Sequence, residues 1–162
     1  MLRYETSDLV LNKKYDYFCH QVNCQGVMGA GIAAQIAKIY PKVKYEEQKY
    51  WSLNYIRNHD TKSLLGQILA VKTEDGRTCV NMHAQDLYGR EKICYTDYEA
   101  FDRCLIKLKC LLLKEPDTLT VGFPYKIGCG LAGGDWEKIQ PMLEDFAGSI
   151  KQNVYIVKYD KG

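Results

Sequence analysis

Residues 23–33, NCQGVMGAGIA, decide the fold that the sequence predicts. Gly26, Gly29 and Gly31 follow the mainly apolar run 16–22 and precede a segment with helical periodicity. A strand, a glycine loop and a helix N-terminus form an anion site, because free N–H groups and the helix dipole converge where side chains are missing. The spacing is neither the GxGxxG of dinucleotide folds nor a Walker A loop. The stretch therefore predicts an anion site outside both common nucleotide motifs.

A second glycine loop, residues 125–136, YKIGCGLAGGDW, also follows a predicted strand and precedes a predicted helix. Open α/β sheets place their ligands at the carboxyl ends of strands. Two such loops are therefore expected to close on one ligand from opposite sides, which would suit a diphosphate. For either loop alone, an alternative stays open in which the glycines serve only tight turns and helix–sheet packing.

The remaining chain alternates between strand-like and helix-like patterns. Strands are predicted over 16–22, 64–71, 78–82, 119–123 and 154–157, with Asp75-Gly76 turning the second into the third as a hairpin. Helices are predicted from Ile32 to Pro41, over 43–57, from near Tyr95 to Leu112, and from Trp136, where Pro141 should distort the first turns. This interleaving predicts a three-layer α/β/α fold with a mixed central sheet.

Composition bounds the class of protein. The 162 residues fit one domain, 1–162, and the net charge of +2 gives no electrostatic case for nucleic acid or a membrane as the main partner. No 18-residue apolar run and no signal-peptide pattern is present. The seven cysteines are odd in number, lack CxxC and show no zinc-type spacing. We expect a reduced, cytoplasmic protein without a metal or cofactor.

Three motifs carry a resemblance to a known family: residues 20–33 (HQVNCQGVMGAGIA), 95–99 (YTDYE), and 127–131 (IGCGL) with Trp136. Together they resemble the macrodomains, from Asp8 to the last strand. The pair MGAGIA and IGCGL is similar to the branch that contains the terminal ADP-ribose protein glycohydrolase. It also resembles the DNA ADP-ribosyl glycohydrolase antitoxins and the yeast-type ADP-ribose 1″-phosphate phosphatase.

The resemblance implies an ADP-ribose site, with Asp8 accepting a hydrogen bond from the adenine amino group and the two loops enclosing the diphosphate. Without the resemblance, Asp8 reads as a turn or cap residue. Tyr98, Tyr125 and Tyr159 are candidates for stacking on adenine or ribose, and the sequence favours none of them. The implied ligand-binding residues are Asp8, Leu9, Gly26, Val27, Met28, Gly29, Ala30, Gly31, Ile32, Ile127, Gly128, Cys129, Gly130, Leu131 and Ala132.

Four residues are candidates for catalysis: His20, Asn23, Gln85 and Asp135. His20 is a possible general acid or base near neutral pH, or a structural histidine, and strand alternation puts it on the face opposite Asn23. The resemblance implies that Asn23 holds the distal ribose; alone it reads as a turn residue. Asp135 is equally a helix N-cap. Cys24 and Cys129 read as small packing residues.

One departure from the family changes the expected mechanism. The protein glycohydrolase carries an aspartate after its GCGL and a lysine on the strand before the tyrosine-rich helix. Here Ala132 stands at the first position, and residues 81–85, NMHAQ, contain no lysine. Gln85 is the nearest equivalent, and His83 and Gln85 are candidates for contacting the distal ribose. A lysine adduct is therefore not expected.

The function predicted is a monomeric macrodomain that hydrolyses ADP-ribosyl derivatives of protein or nucleic acid, or related ADP-ribose esters. Positioning and electrostatics would supply the rate enhancement without a dedicated nucleophile. Two alternatives are a reader that binds ADP-ribose without chemistry, and an ADP-ribose 1″-phosphate phosphatase. An unrelated nucleotide-binding α/β protein would instead bind ATP or NAD comparably.

Overall fold

The computed structural model describes residues 1–159, which contain one six-stranded sheet and four α-helices. In chain order the elements are β1 (Leu2–Ser7), β2 (Tyr17–Val22), α1 (Gly31–Ile39), α2 (Pro41–Asn58), a 3₁₀ turn (Lys62–Leu64), β3 (Ile68–Lys72), β4 (Thr78–His83), α3 (Tyr98–Leu112), β5 (Thr120–Pro124), α4 (Trp136–Gly148) and β6 (Asn153–Tyr159).

The strands pair in the order β1-β6-β5-β2-β4-β3. All neighbours run parallel except β3, which pairs antiparallel with β4 from Ile68↔Met82 to Lys72↔Thr78. The predicted hairpin is therefore present. Its turn is closed by Thr73 N donating to Arg77 O at 2.8 Å, and Gly76 there takes the left-handed φ of 84°. The sheet is mixed, as predicted.

Side-chain alternation along β2 separates two cores. Cys19 joins a core with α3 and α4, whose Phe101 and Leu143 are fully buried. Phe18 joins the other core, with Ile36 of α1 and further apolar residues of α2 and β4. Each fully buried aromatic or aliphatic side chain contributes about 1.5–3 kcal/mol. Helices therefore cover both faces of the sheet, and the predicted three-layer α/β/α architecture is confirmed.

The hydrophobic pattern did not identify strand β1; only the family resemblance implied it. Its sequence, LRYETS, lacks apolar alternation, and Tyr4 is 50% exposed. β1 lies at the edge of the sheet and pairs only with β6, so neither face has to be strongly apolar. An edge strand of this kind gives a weak periodic signal.

The ends of the helices follow from their caps. α3 begins at Tyr98, because Asp97 accepts a hydrogen bond from Ala100 N at 3.0 Å. α4 likewise begins after Asp135, which accepts from Glu137 N at 2.9 Å, and Pro141 does not end it before Gly148. No helix within residues 1–159 is both long and apolar enough to cross a bilayer.

Candidate functional site

A cleft of about 490 Å³ lies along the edge of the sheet formed by the carboxyl ends of the parallel strands. We call it the main chamber. Three segments line it: the stretch from the end of β2 through the first glycine loop to the start of α1, the loop after β4, and the second glycine loop after β5. Its lining residues are Gln21, Val22, Asn23, Val27, Gly29, Ala30, Gly31, Ile32, Ala33, Gln85, Tyr88, Gly89, Arg90, Pro124, Tyr125, Lys126, Ile127, Gly128, Gly130, Leu131 and Ala132.

A smaller cavity of about 260 Å³, the side chamber, adjoins it. The two chambers share Ile32, Pro124 and Tyr125, so they form one groove. The other residues of the side chamber are Asp8, Leu9, Val10, Gln35, Val157 and Tyr159. In sheet order the groove runs from the end of β1 past β6, β5 and β2 to the end of β4. Four strand spacings of about 4.8 Å make it roughly 19 Å long.

Asn23 shapes the first glycine loop. Its Oδ1 accepts hydrogen bonds from Gln25 N at 2.9 Å and Val27 N at 3.3 Å, and its Nδ2 donates to Val27 O at 2.8 Å. Gly26 has a φ of 71°, and a Cβ there would lie 3.0 Å from the Trp51 ring. The loop is therefore held by side-chain hydrogen bonds on one side and by α2 on the other.

The N-terminus of α1 opens into the main chamber through residues 30–33. No side chain caps it, and its first turn contains no acidic residue. By contrast, Asp97 caps α3, Asp135 caps α4, and each of those helices has a glutamate in its first turn. The first N–H groups of a helix lack intrahelical partners and carry the positive end of its dipole. This part of the chamber therefore favours an anion.

The second glycine loop is tied to the start of α3. Thr96 Oγ1 donates to Gly128 O at 2.7 Å, and Ala132 O accepts from Tyr95 N at 2.7 Å and Thr96 N at 3.1 Å. Gly128 has a φ of 74°, and a Cβ there would lie 2.6 Å from Gln21 Oε1. Only glycine fits this point, where the loop crosses the end of β2.

Gln21 links three walls of the main chamber, although it was not selected from the sequence. Its Nε2 donates to Gln85 Oε1 at 3.0 Å and to Thr96 Oγ1 at 2.9 Å. Its Oε1 is buried and has no hydrogen-bond partner within the described chain. Gln85 lines the chamber as expected for a ribose contact, but its own amide donates to Leu87 O at 2.9 Å. A polar residue near the end of an otherwise apolar strand was the available signal.

The main chamber is lined by cations and not by acids. Arg90 and Lys126 both line it, and no carboxylate of the described residues does. Lys126 also holds a left-handed φ of 59°. Among residues 1–159, the acid in the groove is Asp8, at the side-chamber end. Arg90 was not selected from the sequence, since a single arginine in a polar loop carries no periodic signal.

His20 does not reach either chamber, which corrects the role predicted for it. Its side chain is fully buried between the sheet and α2, with Nε2 2.6 Å from Asn81 Oδ1. Burial lowers the pKa of His20 to about 4, so the imidazole is neutral at physiological pH. The alternation argument that separated His20 from Asn23 agrees with this placement, because Asn23 lines the main chamber.

His83, which was also considered for a contact with the distal ribose, is likewise buried in the interior. Its Nδ1 lies 2.9 Å from Gln67 O and its Nε2 lies 2.8 Å from Glu47 Oε2. Glu47 Oε1 accepts from Asn81 Nδ2 at 2.9 Å. Since Nδ1 must donate to a carbonyl, a further proton lies between Nε2 and the carboxylate. The buried pair therefore carries no net charge, whichever partner holds that proton.

Four other predicted residues line neither chamber. Asp135 is exposed and serves as the cap of α4. Met28 is buried in the core beside α1 and α2, and Gly26 packs on Trp51. Cys129 packs against the other core, and burial raises its pKa to about 11. Cys24 is fully buried with a raised pKa, as expected of a packing cysteine.

Asp8 closes the turn after β1 and also lies at the side chamber. Its Oδ1 accepts from Val10 N and Leu11 N, both at 3.0 Å, which fixes the turn after β1. Its side chain also lines the side chamber, where Leu9 and Tyr159 lie as well. Of the three tyrosines considered, Tyr125 and Tyr159 line the groove, whereas the Tyr98 hydroxyl accepts from Asp135 N at 3.0 Å.

Comparison with known proteins agrees with this geometry, although no family model matches the sequence. The chain is 28% identical over 180 residues to an ADP-ribose 1″-phosphate phosphatase of Meyerozyma guilliermondii, covering 96% of this chain and 98% of that protein. It is 23% identical to an uncharacterized 17.5 kDa protein of phage T4, over 99% and 97% of the two chains.

Several of the solved structures that match are macrodomains. That of DarG from Mycobacterium tuberculosis superposes with a TM-score of 0.78 at 24% identity, over 98% of this chain and 97% of that one. Thermosipho africanus DarTG in complex with ADP-ribose gives 0.72 at 17% identity, over 97% and 44%. The chain is a macrodomain by fold, and the resemblance predicted from its motifs is confirmed. Its similar curated relatives include proteins named as phosphatases of ADP-ribose 1″-phosphate.

Proposed function

We propose that the groove binds ADP-ribose and that the protein hydrolyses an ADP-ribosyl derivative. The observation that carries this proposal is the order of features along the groove. An acid and a tyrosine lie at the β1 end, an uncapped helix N-terminus lies in the middle, and an amide cluster lies at the β4 end. Adenine, diphosphate and distal ribose require the same three features in the same order.

The adenine would occupy the side chamber, with its amino group donating to Asp8 and its ring beside Tyr159. The diphosphate would meet the N-terminus of α1 on one side and the backbone at Gly130 on the other. The distal ribose would lie near Gln21 and Gln85, where the unpaired Gln21 Oε1 is an acceptor for a ribose hydroxyl. Asn23 shapes this end through the loop it holds.

Hydrolysis would depend on positioning and electrostatics. Within the described chain, the main chamber offers no carboxylate, and the imidazoles of His20 and His83 lie in the interior. Water would therefore displace the group attached to the anomeric carbon of the distal ribose. The new C–O bond forms as the bond to that group breaks, and the proton of the water passes to the leaving group, directly or through the ligand's own phosphate. The helix dipole and Lys126 would stabilise the negative charge. Such a site gives modest rates.

The same lack of an acid or base favours a second candidate, a reader that binds ADP-ribose and performs no chemistry. The relatives named as phosphatases support the variant in which the scissile group is a phosphate ester. Either way the ligand is ADP-ribose or an ADP-ribosylated protein or nucleic acid. We expect a monomer in the reducing cytoplasm, where the exposed thiols of Cys94 and Cys110 would persist.

Titration calorimetry with free ADP-ribose, and with ATP as the control, tests the binding site. We expect a Kd of about 1 µM for ADP-ribose, or roughly −8 kcal/mol, and much weaker binding of ATP. Equal affinities for ADP-ribose and ATP would contradict the proposed site. Incubating catalytic amounts of protein with ADP-ribosylated protein, ADP-ribosylated DNA and ADP-ribose 1″-phosphate then separates enzyme from reader. Several product molecules per protein molecule exclude the reader.

A further inference from the structure

The loop after β4 brings a cation to the far end of the groove. Tyr88, Gly89 and Arg90 line the main chamber but not the side chamber. In sheet order β4 lies four strands away from β1, whose end carries Asp8. If the ligand lies as proposed above, Arg90 stands near the distal ribose and its substituent.

The guanidinium of Arg90 is available for a ligand. Its side chain is exposed and makes no hydrogen bond or ion pair with any of residues 1–159. Arg77 shows the contrast: its buried guanidinium donates to the carbonyls of Tyr15, Val10 and Leu9 at 2.6–2.9 Å. Arg77 is committed to the fold, whereas nothing within the described chain engages Arg90.

The segment that carries Arg90 is anchored. A Cβ on Gly89 would collide with the Tyr95 hydroxyl, and Tyr95 N donates to Ala132 O of the second glycine loop at 2.7 Å. A Cβ on Gly133 would likewise collide with Ile93 O. The β4–α3 loop and the second glycine loop therefore pack together. A side chain on an anchored loop loses less entropy on binding than one on a loose loop.

The acids near Arg90 are directed elsewhere. Asp86 accepts from Gln25 Nε2 at 2.9 Å, behind the first glycine loop, and Glu91 does not line the chamber. A guanidinium in a chamber without carboxylates suits a phosphate, to which arginine can donate two parallel hydrogen bonds. The diphosphate already has the N-terminus of α1 and Lys126 beside it.

We propose that Arg90 forms a second anion subsite, which binds a phosphate group attached next to the distal ribose. This proposal rests on the proposed function and names the substrate class: ADP-ribose bearing a phosphate, as a phosphomonoester or as the first phosphodiester of an ADP-ribosylated nucleic acid. Arg90 is then a specificity-determining residue and has no part in binding unsubstituted ADP-ribose.

Two pairs of ligands test the subsite. The first pair is ADP-ribose 1″-phosphate and ADP-ribose; the second is an ADP-ribosylated dinucleotide and the corresponding ADP-ribosylated nucleoside. Binding is measured by calorimetry at low temperature, with each ligand checked for hydrolysis by chromatography afterwards. The variants are Arg90→Gln and a matched control, Lys92→Gln, which removes a cation from the same loop outside the chamber.

In the wild type, we expect the phosphate to strengthen binding about tenfold in at least one pair, or about 1.4 kcal/mol. Arg90→Gln should abolish that difference and leave ADP-ribose binding unchanged, while Lys92→Gln retains it. The pair that responds identifies the source of the phosphate. No advantage in either pair, or an equal loss for ADP-ribose itself in Arg90→Gln, overturns the subsite. Failure of the wild type to bind ADP-ribose would instead remove the proposed function.

Discussion

Gln21 Nε2 lies 3.0 Å from Gln85 Oε1, and this hydrogen bond joins the ends of β2 and β4 beneath the main chamber. The same amide nitrogen also reaches Thr96 Oγ1, which donates to Gly128 O in the second glycine loop. One side chain therefore sets the spacing between the β4 end of the groove and the second glycine loop. Neither contact follows from the local sequence around Gln21.

Replacing Gln21 should weaken both ligand binding and the fold. Gln21→Ala removes both hydrogen bonds, and we expect about a tenfold loss of ADP-ribose affinity with roughly 1–2 kcal/mol lost from the free energy of unfolding. Calorimetry and urea unfolding measure the two quantities. Gln152→Ala is the matched control, because buried Gln152 donates to Leu112 O at 2.8 Å, away from the groove. It should lose stability and keep its affinity; equal affinity losses in both variants would contradict the assignment.

Filling the groove at Gly130 should block the ligand and spare the fold. Gly130 lines the main chamber, its φ is not in the left-handed region, and a Cβ there would meet no atom within 4 Å. We expect Gly130→Val to lower ADP-ribose affinity at least tenfold with a Tm within a few degrees of the wild type. The control is Gly148→Val at the end of α4, where a Cβ also meets open space. Undiminished binding by Gly130→Val would place the diphosphate elsewhere.

The sequence predicted those features that periodicity and glycine spacing encode. The two loops, the α/β/α layers and the β3–β4 hairpin depend on local patterns, and the structure has them. Asn23, predicted as a catalytic residue, lines the groove, where its amide holds the first glycine loop. Strand β1 was not identified from the hydrophobic pattern, because an edge strand does not need an apolar face.

Contacts between strands were not predictable, since they depend on register. The pairing of β2 with β4 sets His20 opposite Asn81, which buries the imidazole beside Glu47 instead of turning it toward the ligand. Arg90 was missed for a related reason: only the packing of its loop against the second glycine loop brings it into the chamber. A residue type and its distance from a motif do not contain that information.

The buried histidine makes the stability of the protein sensitive to acid. The pKa of His20 is about 4 in the folded protein, against 6.5 when solvated. Between these pH values the unfolded chain binds a proton at His20 that the folded chain does not, so the free energy of unfolding decreases as the pH falls. The stability that goes with the neutral imidazole is therefore fully present above pH 6.5 and is lost as the pH falls toward 4. The total loss in the free energy of unfolding is on the order of 3 kcal/mol.

Urea unfolding at several pH values between 4 and 7 measures this effect against a variant that cannot titrate. His20→Gln keeps an amide that can donate to Asn81 Oδ1 and should show a shallower loss of stability across this range. His59→Gln, at the exposed end of α2, is the matched control and should keep the wild-type slope. If His20→Gln and the wild type lose stability in parallel, the acid sensitivity arises elsewhere.

Glu47 offers a test of the proton held between it and His83. Glu47→Ala leaves the His83 Nε2 and Asn81 Nδ2 positions without a partner, and we expect a loss of about 3–5 kcal/mol in the free energy of unfolding. Glu47→Gln can accept from Asn81 through its oxygen and donate to a neutral His83 Nε2 through its nitrogen. It should therefore cost less than about 1.5 kcal/mol. Urea unfolding at pH 7 distinguishes the two. A Glu47→Gln variant as unstable as Glu47→Ala would mean that an amide cannot replace the carboxylate between His83 and Asn81, and that the proton between Glu47 and His83 resides on the imidazole.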